Sequence, residues 1–304
     1  MAKARAAVVF VWGAYTFVDD AGRPLRFVLD EAGEPIADAQ GVPMVDLTGT
    51  GAVATQRYSG TAFLVDRQGH LLTNRHIAEP WWEKEDPEPL LAAGLQPRFV
   101  QLRAFFQDRA EPVPVEVLRV DPELDVALIR TIDWTPTAEP LAIHPRPDEV
   151  TEGQAVMLVG FPTGLDAVLS KLTTPEYAAL ERAGLDTYGK VERLAREQRL
   201  LPTITGGFVW EVKPDILVYD ARTSGGGSGG PLLDRQGQVI GVNAAYNPDF
   251  EGGNYGVPIA VGIRLLAGGG QPATGATREM PGLLSEEPAP AEGATPTKSP
   301  QGTS

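Results

Sequence analysis

The chain has 304 residues, 42% of them apolar, with 26 Lys and Arg against 40 Asp and Glu, a net charge of −14. That is apolar material for one large or two modest cored domains, and a charge balance that argues against nucleic acid, whose phosphates demand a basic surface. Cysteine is absent, which excludes disulfides, thiol nucleophiles and thiolate metal sites; no run of about 20 apolar residues occurs, so no membrane-spanning helix is expected.

Lys3 and Arg5 precede an apolar run from Ala6 to Val18. The run reads either as a β-strand or as the core of a trimmed signal or membrane anchor, which would tether the chain to a membrane. Asp19-Asp20-Ala21-Gly22 and Asp30-Glu31-Ala32-Gly33 then punctuate short apolar pieces. Residues 1–58 are expected to form an N-terminal extension of β arms and turns.

Short β-like runs follow: Thr61–Val65, His70–Leu72, Val113–Leu118, Val126–Ile129, Ala155–Val159, Gly207–Val212, Ile216–Tyr219 and Val239–Val242. They are rich in branched and aromatic residues and bounded by Gly, Pro and Asp, which suggests an all-β sandwich or barrel. The letters Asp-Arg-Gln-Gly occur twice, at Asp66–Gly69 and Asp234–Gly237, each between apolar triplets. An Asp opening and a Gly closing such a turn predict two hairpins, as two similar halves would have. The acidic run Glu83–Glu88 reads as a solvated loop. Thr174-Pro175-Glu176 offers a helix start, and Tyr177, Leu180, Val191 and Leu194 continue at helical spacing. A helical insertion is expected over about 174–200. From Ala267 to Ser304 the composition is dominated by Gly, Pro, Ala, Thr, Ser and Glu, which buries too little apolar surface to fold, so 267–304 is expected to be a disordered tail.

The chemistry concentrates in Thr223-Ser224-Gly225-Gly226-Gly227-Ser228-Gly229-Gly230-Pro231. A serine hydroxyl becomes a nucleophile when a base takes its proton, and the attacked carbonyl needs donors for its developing oxyanion. Glycines let backbone amides converge and let a substrate chain approach. The pattern also fits the nucleophile elbow of α/β-hydrolases, but there the histidine follows the serine. The three histidines here are His70, His76 and His144, so any base precedes Ser228. His70 sits at a hairpin turn and His144 in a Pro-bounded loop. His76 ends a strand in Leu72-Thr73-Asn74-Arg75-His76 and is the expected base. The acid that orients it is expected to be Asp125, at the head of Val126–Ile129, with Asp121 assigned to a turn with Pro122. No metal-ligand spacing is present and no cofactor is expected.

Gly60–Val65 followed by Leu72–His76 resembles the histidine region of trypsin-like peptidases, especially the HtrA/Do-like branch. Asp125–Ile129 resembles that branch's aspartate strand, Val159–Leu165 its Gly-Pro turn, and Gly226–Pro231 with Val239–Asn243 its nucleophile hairpin. The resemblance covers about 59–266. It implies two six-stranded antiparallel β-barrels with His76, Asp125 and Ser228 in the cleft between them, and an oxyanion hole from the amides of Gly226 and Ser228. It further implies a serine endopeptidase acting on protein or peptide substrates by acyl transfer, placed outside the cytoplasm. The substrate pocket would be lined by Arg222, Thr223, Asn243, Ala244 and Ala245. A buried Arg222 would select acidic side chains; the alanines would suit medium apolar ones. The branch more often carries Asn where this chain has Gly227, which points to a loose site. The insertion falls where the family has a variable regulatory loop, and is expected to shield or gate the cleft. The competing reading is a pseudopeptidase that uses the same fold as a binding scaffold.

Overall fold

The computed structural model describes residues 2–82, 87–246, 253–273 and 277–280. Twelve strands form two closed six-stranded antiparallel barrels. The first is built from β1 (Val8–Val18), β2 (Gln56–Leu64), β3 (His70–Thr73), β4 (Gln96–Phe105), β5 (Val113–Val120) and β6 (Ala127–Thr131). Around its wall the order is β5-β4-β1-β2-β3-β6, closed by β6 pairing back on β5. The second contains β7 (Ala155–Gly160), β8 (Thr203–Val212), β9 (Leu217–Tyr219), β10 (Pro231–Leu233), β11 (Val239–Tyr246) and β12 (Asn254–Pro258), in the order β8-β9-β12-β11-β10-β7. Closure leaves neither sheet with a bare edge.

The apolar run at the N-terminus is β1, central to the first barrel and hydrogen-bonded to both β2 and β4. All of its residues are buried. Fully burying one Val or Phe side chain is worth about 1.5–3 kcal/mol; alternate side chains of β1 face opposite sides of the wall, and both faces are covered. The extension expected over 1–58 is corrected accordingly: 8–18 and 56–58 are barrel wall. Between them stand hairpins at Asp19–Gly22, Asp30–Gly33 and Asp38–Gly41. In each, the Asp Oδ1 accepts from the amides two and four residues on, at 2.8–3.0 Å. The expected hairpins at Asp66–Gly69 and Asp234–Gly237 use the same bonds, at 2.8–3.1 Å. One side-chain device thus builds turns in both barrels and in the arm.

The insertion is helical, as expected, and begins earlier: α2 (Leu165–Leu169), α3 (Thr174–Glu181) and α4 (Thr187–Arg196) lie between β7 and β8. Glu176 accepts from the Thr173 amide and hydroxyl, both at 2.8 Å, fixing the start of α3 one residue before the expected cap. Tyr188 of α4 packs 5.7 Å from Trp12 and 6.3 Å from Phe105, so the insertion is fastened to the first barrel. α5 (Ile259–Leu266) leaves the second barrel and packs on the first, with Gly262 against Leu72. Beyond it the chain stays packed where a tail was expected: Gln271–Pro272 pairs with β5, and the Met280 amide donates to Phe99 O at 2.9 Å. Residues 281–304 lie outside the described residues, as does most of the Glu83–Glu88 run.

Candidate active site

The site forms where the barrels meet, around the stretch Tyr58–Thr61 of β2. On the first-barrel side, β3 ends at Thr73 and runs into the short helix α1 (Arg75–Ala78), which carries His76. Asp125 lies in the loop between β5 and β6. Its Oδ2 is 2.7 Å from His76 Nδ1 and its Oδ1 accepts from the His76 amide at 2.9 Å. Both carboxylate oxygens therefore engage one residue, which fixes ring and backbone together. A carboxylate only accepts, so this contact places the proton on Nδ1 and leaves Nε2 free to take another. Asn74 Nδ2 donates to the Asp125 carbonyl at 2.7 Å. Tyr58 Oη donates to Ile77 O at 2.8 Å. Burial, and then the neighbouring Tyr15, push the Tyr58 phenol well above the ordinary tyrosine value, so it stays a neutral donor. Gly60 leaves room for the Ile77 side chain against β2.

Asp121, the competing acid, makes the turn expected of it. Its Oδ1 accepts from the amides of Glu123 and Leu124 at 3.1 and 2.9 Å, and its Oδ2 pairs with Arg264 at 3.0 Å. Burial opposes ionisation, but these hydrogen bonds and the guanidinium prevail and hold the carboxyl below its usual range.

On the second-barrel side, the loop before β10 presents Ser228. The Ser228 carbonyl accepts from the Thr61 amide at 2.9 Å, and Thr61 Oγ1 donates to Gly226 O at 2.8 Å. Thr61 Oγ1 also accepts from the Phe161 amide at 3.1 Å. The loop that carries Ser228 is thus stitched to the strand on which the His76 helix rests. Gly226 and Gly229 have φ of +86° and +84°; a β-carbon on Gly229 would collide with Thr61 O and Thr73 Oγ1. Among the described residues, no carbonyl accepts from the amides of Gly226 or Ser228, which leaves both available to an oxyanion. The Ser228 hydroxyl donates to Ala244 O at 3.2 Å, and no hydrogen bond joins it to His76 among the described residues.

The pocket residues divide. Arg222 is exposed, with its carbonyl held by Thr205 Oγ1 at 2.8 Å; the buried guanidinium entertained from its position is therefore corrected. Asn243 is buried, accepts from the Tyr219 hydroxyl and donates to Thr223 Oγ1 at 3.3 Å. A β-carbon on Gly227 would meet Thr223 Oγ1 and come within 3.5 Å of Asn243 Nδ2. The Asn243–Thr223 pair thus fills the space that a side chain at 227 would use. Ala244 contributes the carbonyl that holds Ser228; the side chain of Ala245 is outside the described ones. Of the other histidines, His70 Nδ1 is paired with Asp66 at 2.6 Å and His144 Nε2 lies 3.8 Å from Asp234, each with a hairpin Asp. Among the described residues no cluster of metal-ligating side chains occurs. The site residues that sequence reasoning passed over are Tyr58, Thr61, Thr73, Asn74 and Arg75; for Arg75 the available signal was an Arg–Glu pair at i,i+4 ending an apolar strand.

A pair of six-stranded antiparallel barrels is the architecture of trypsin-like peptidases, and residues 60–242 match the family model for the trypsin-like peptidase domain. The chain belongs to that family. Within it the chain is similar to HtrA/Do-type proteins. It is 28% identical over 211 residues to Protease Do-like 1, chloroplastic, of Arabidopsis thaliana, covering 69% of this chain and 38% of that one. It is 26% identical over 202 residues to a probable periplasmic serine endoprotease DegP-like of Chlamydia pneumoniae, covering 66% and 31%. Its fold matches a serine-to-alanine variant of the HtrA-type protease AlgW solved with a tripeptide, at TM-score 0.50 and 17% identity, covering 88% of this chain and 60% of that one. The chain spans less than half the length of these two curated relatives.

Proposed function

We propose that the chain is a serine endopeptidase in which His76, Asp125 and Ser228 form a catalytic triad. The observation that carries this is the grip of both Asp125 oxygens on His76, at 2.7 and 2.9 Å, beside a serine loop docked on the same strand. In the reaction the Ser228 hydroxyl turns from Ala244 O towards His76 Nε2 by rotation about χ1. Oγ attacks the peptide carbonyl as Nε2 takes the proton, and the amides of Gly226 and Ser228 receive the oxyanion. The imidazolium formed is stabilised by Asp125 and gives its proton to the leaving amine. Water then enters, His76 removes its proton, and the acyl-enzyme is hydrolysed.

The substrates are exposed or unfolded protein segments. With Arg222 exposed, selection by a buried cation is dropped and medium apolar side chains are favoured. The similarity to periplasmic and chloroplastic proteases supports a location outside the cytoplasm.

The test is reaction with a fluorophosphonate probe, read by mass spectrometry, beside digestion of an unfolded protein. A single adduct on Ser228 is expected, lost in Ser228→Ala, whose kcat falls by roughly 10⁶. Cut sites in the digest should fall after residues such as Val or Leu. Neither adduct nor cleavage by the intact chain would leave the fold as a binding scaffold, a reading that the Ser228 bond to Ala244 O favours.

A further inference from the structure

Arg75 adjoins the proposed base, yet its side chain is only 7% exposed, and that of Glu79, its partner, 1%. Ionised side chains are rarely buried unless pairing and hydrogen bonds offset their desolvation, and a buried pair seldom adds net stability over apolar packing. What this pair does is therefore to be sought in geometry. Arg75 Nε donates to Glu79 Oε2 at 2.9 Å, within one turn of chain. Nη1 reaches out of the helix to two consecutive carbonyls, Asp121 O at 3.1 Å and Pro122 O at 3.0 Å. The Trp82 ring lies 4.6 Å from the guanidinium carbon. Those two carbonyls begin the loop that ends in Asp125.

We infer that Arg75 is a positioning residue: it ties the loop that carries Asp125 to the helix that carries His76 and so sets the distance between carboxylate and imidazole. Glu79 aims the guanidinium. The inference rests on the triad reading above. A guanidinium suits the task because its planar fork spans Glu79 and two carbonyls in fixed directions, where an ammonium offers a single point of charge. Asn74 Nδ2 holds the Asp125 carbonyl and Arg264 holds the Asp121 carboxylate, so loss of Arg75 loosens the loop without freeing it. A displacement of about 1 Å at a catalytic group costs around 10² in rate.

The experiment compares Arg75→Lys and the double variant Arg75→Met/Glu79→Leu, which removes both charges together, with the intact enzyme on a peptide substrate. The double variant is expected to lose about 10²-fold in kcat and Arg75→Lys about tenfold, with KM within twofold. The low-field Nδ1 proton resonance of His76 should broaden in both, while circular dichroism and cooperative melting persist. A folded variant with wild-type kcat and an unchanged resonance overturns the inference, as does a loss confined to KM. If the double variant fails to fold, Arg75→Lys decides. His76→Ala separates the two readings: if it leaves activity intact the triad is wrong, and if it abolishes activity while the Arg75 variants keep theirs, only this inference fails.

Discussion

Around His76, side chains do the holding. Asp125, Asn74 and Tyr58 each make a bond of 2.7–2.9 Å to the imidazole, to its helix or to the loop that supplies its acid. Around Ser228 the backbone does it. Carbonyls of Gly226 and Ser228 meet Thr61, the Gly229 and Asn243 main chains bond each other, and glycine supplies the conformations that no other residue adopts readily. The difference follows from what each half must do. In the proposed mechanism the base has to keep one tautomer and one orientation through the reaction, which demands fixed polar partners. The nucleophile loop has to offer bare amides and admit a substrate chain, which demands that side chains be absent. The two halves should therefore fail in different ways: the first through lost polar groups, the second through added atoms.

Asp125→Asn strikes the first half hardest. The amide keeps the shape, but one of its two terminal atoms becomes a donor and no longer stabilises an imidazolium, so kcat should fall by about 10⁴ with little change in KM. Steady-state kinetics beside a thermal melt measures this; a melt near that of the parent with activity within tenfold of it would show that the carboxylate is not the orienting group. Gly229→Ala strikes the second half by adding a single methyl group. At φ +84°, with Thr61 O and Thr73 Oγ1 in the path of a β-carbon, the loop must shift and its amides with it. A loss of about 10²–10³ in kcat is expected, the scale of one oxyanion donor. Fluorophosphonate labelling should slow in step. An alanine variant that labels at the parent rate would mean that the loop is free to move.

Much of this was legible in the chain itself, and unevenly so. Ser228 and His76 stand in segments whose letters are constrained by chemistry, so spacing and residue type single them out as candidates. The hairpins were legible because an Asp carboxylate reaching the amides two and four residues on is a local device. What is set by long-range contact was not. β4 reads as Gln96-Pro97-Arg98-Phe99-Val100-Gln101-Leu102-Arg103, a polar alternation that becomes a strand by lying between β1 and β5. β12 opens on Asn254 and contains Gly256, turn letters held in a strand by pairing with β9 and β11. β1 was ambiguous because an unbroken apolar run suits a barrel wall and an anchor equally. Whether Arg222 is buried stayed open because its place in the chain says nothing of whether the loop turns the side chain inward.

The smallest effect, and the one that separates the halves by pH, concerns Asp121. Asn at this position can still accept the amides of Glu123 and Leu124, so the turn survives and the charge opposite Arg264 is lost. In the native chain the carboxyl is held below its unfolded value. A group depressed on folding stabilises above its unfolded pKa and loses that contribution as pH falls through the folded one. Asp121→Asn should therefore cost about 1 kcal/mol at pH 7, and the deficit should begin to shrink below about pH 4, where the unfolded carboxyl takes up its proton, and vanish once the pH has fallen through the lower native value. Denaturant melts of both chains across that range measure it. Since Arg75 grips Asp121 through the backbone carbonyl, which the substitution leaves in place, kcat should change little. A large drop in kcat would mean that the Arg264 ion pair, and not the guanidinium of Arg75, holds the loop in register with His76. A deficit that grew as the pH fell would mean that the carboxyl is not depressed at all. The Ser228 half offers no counterpart to this substitution, since none of the bonds named around Ser228 involves an ionised side chain.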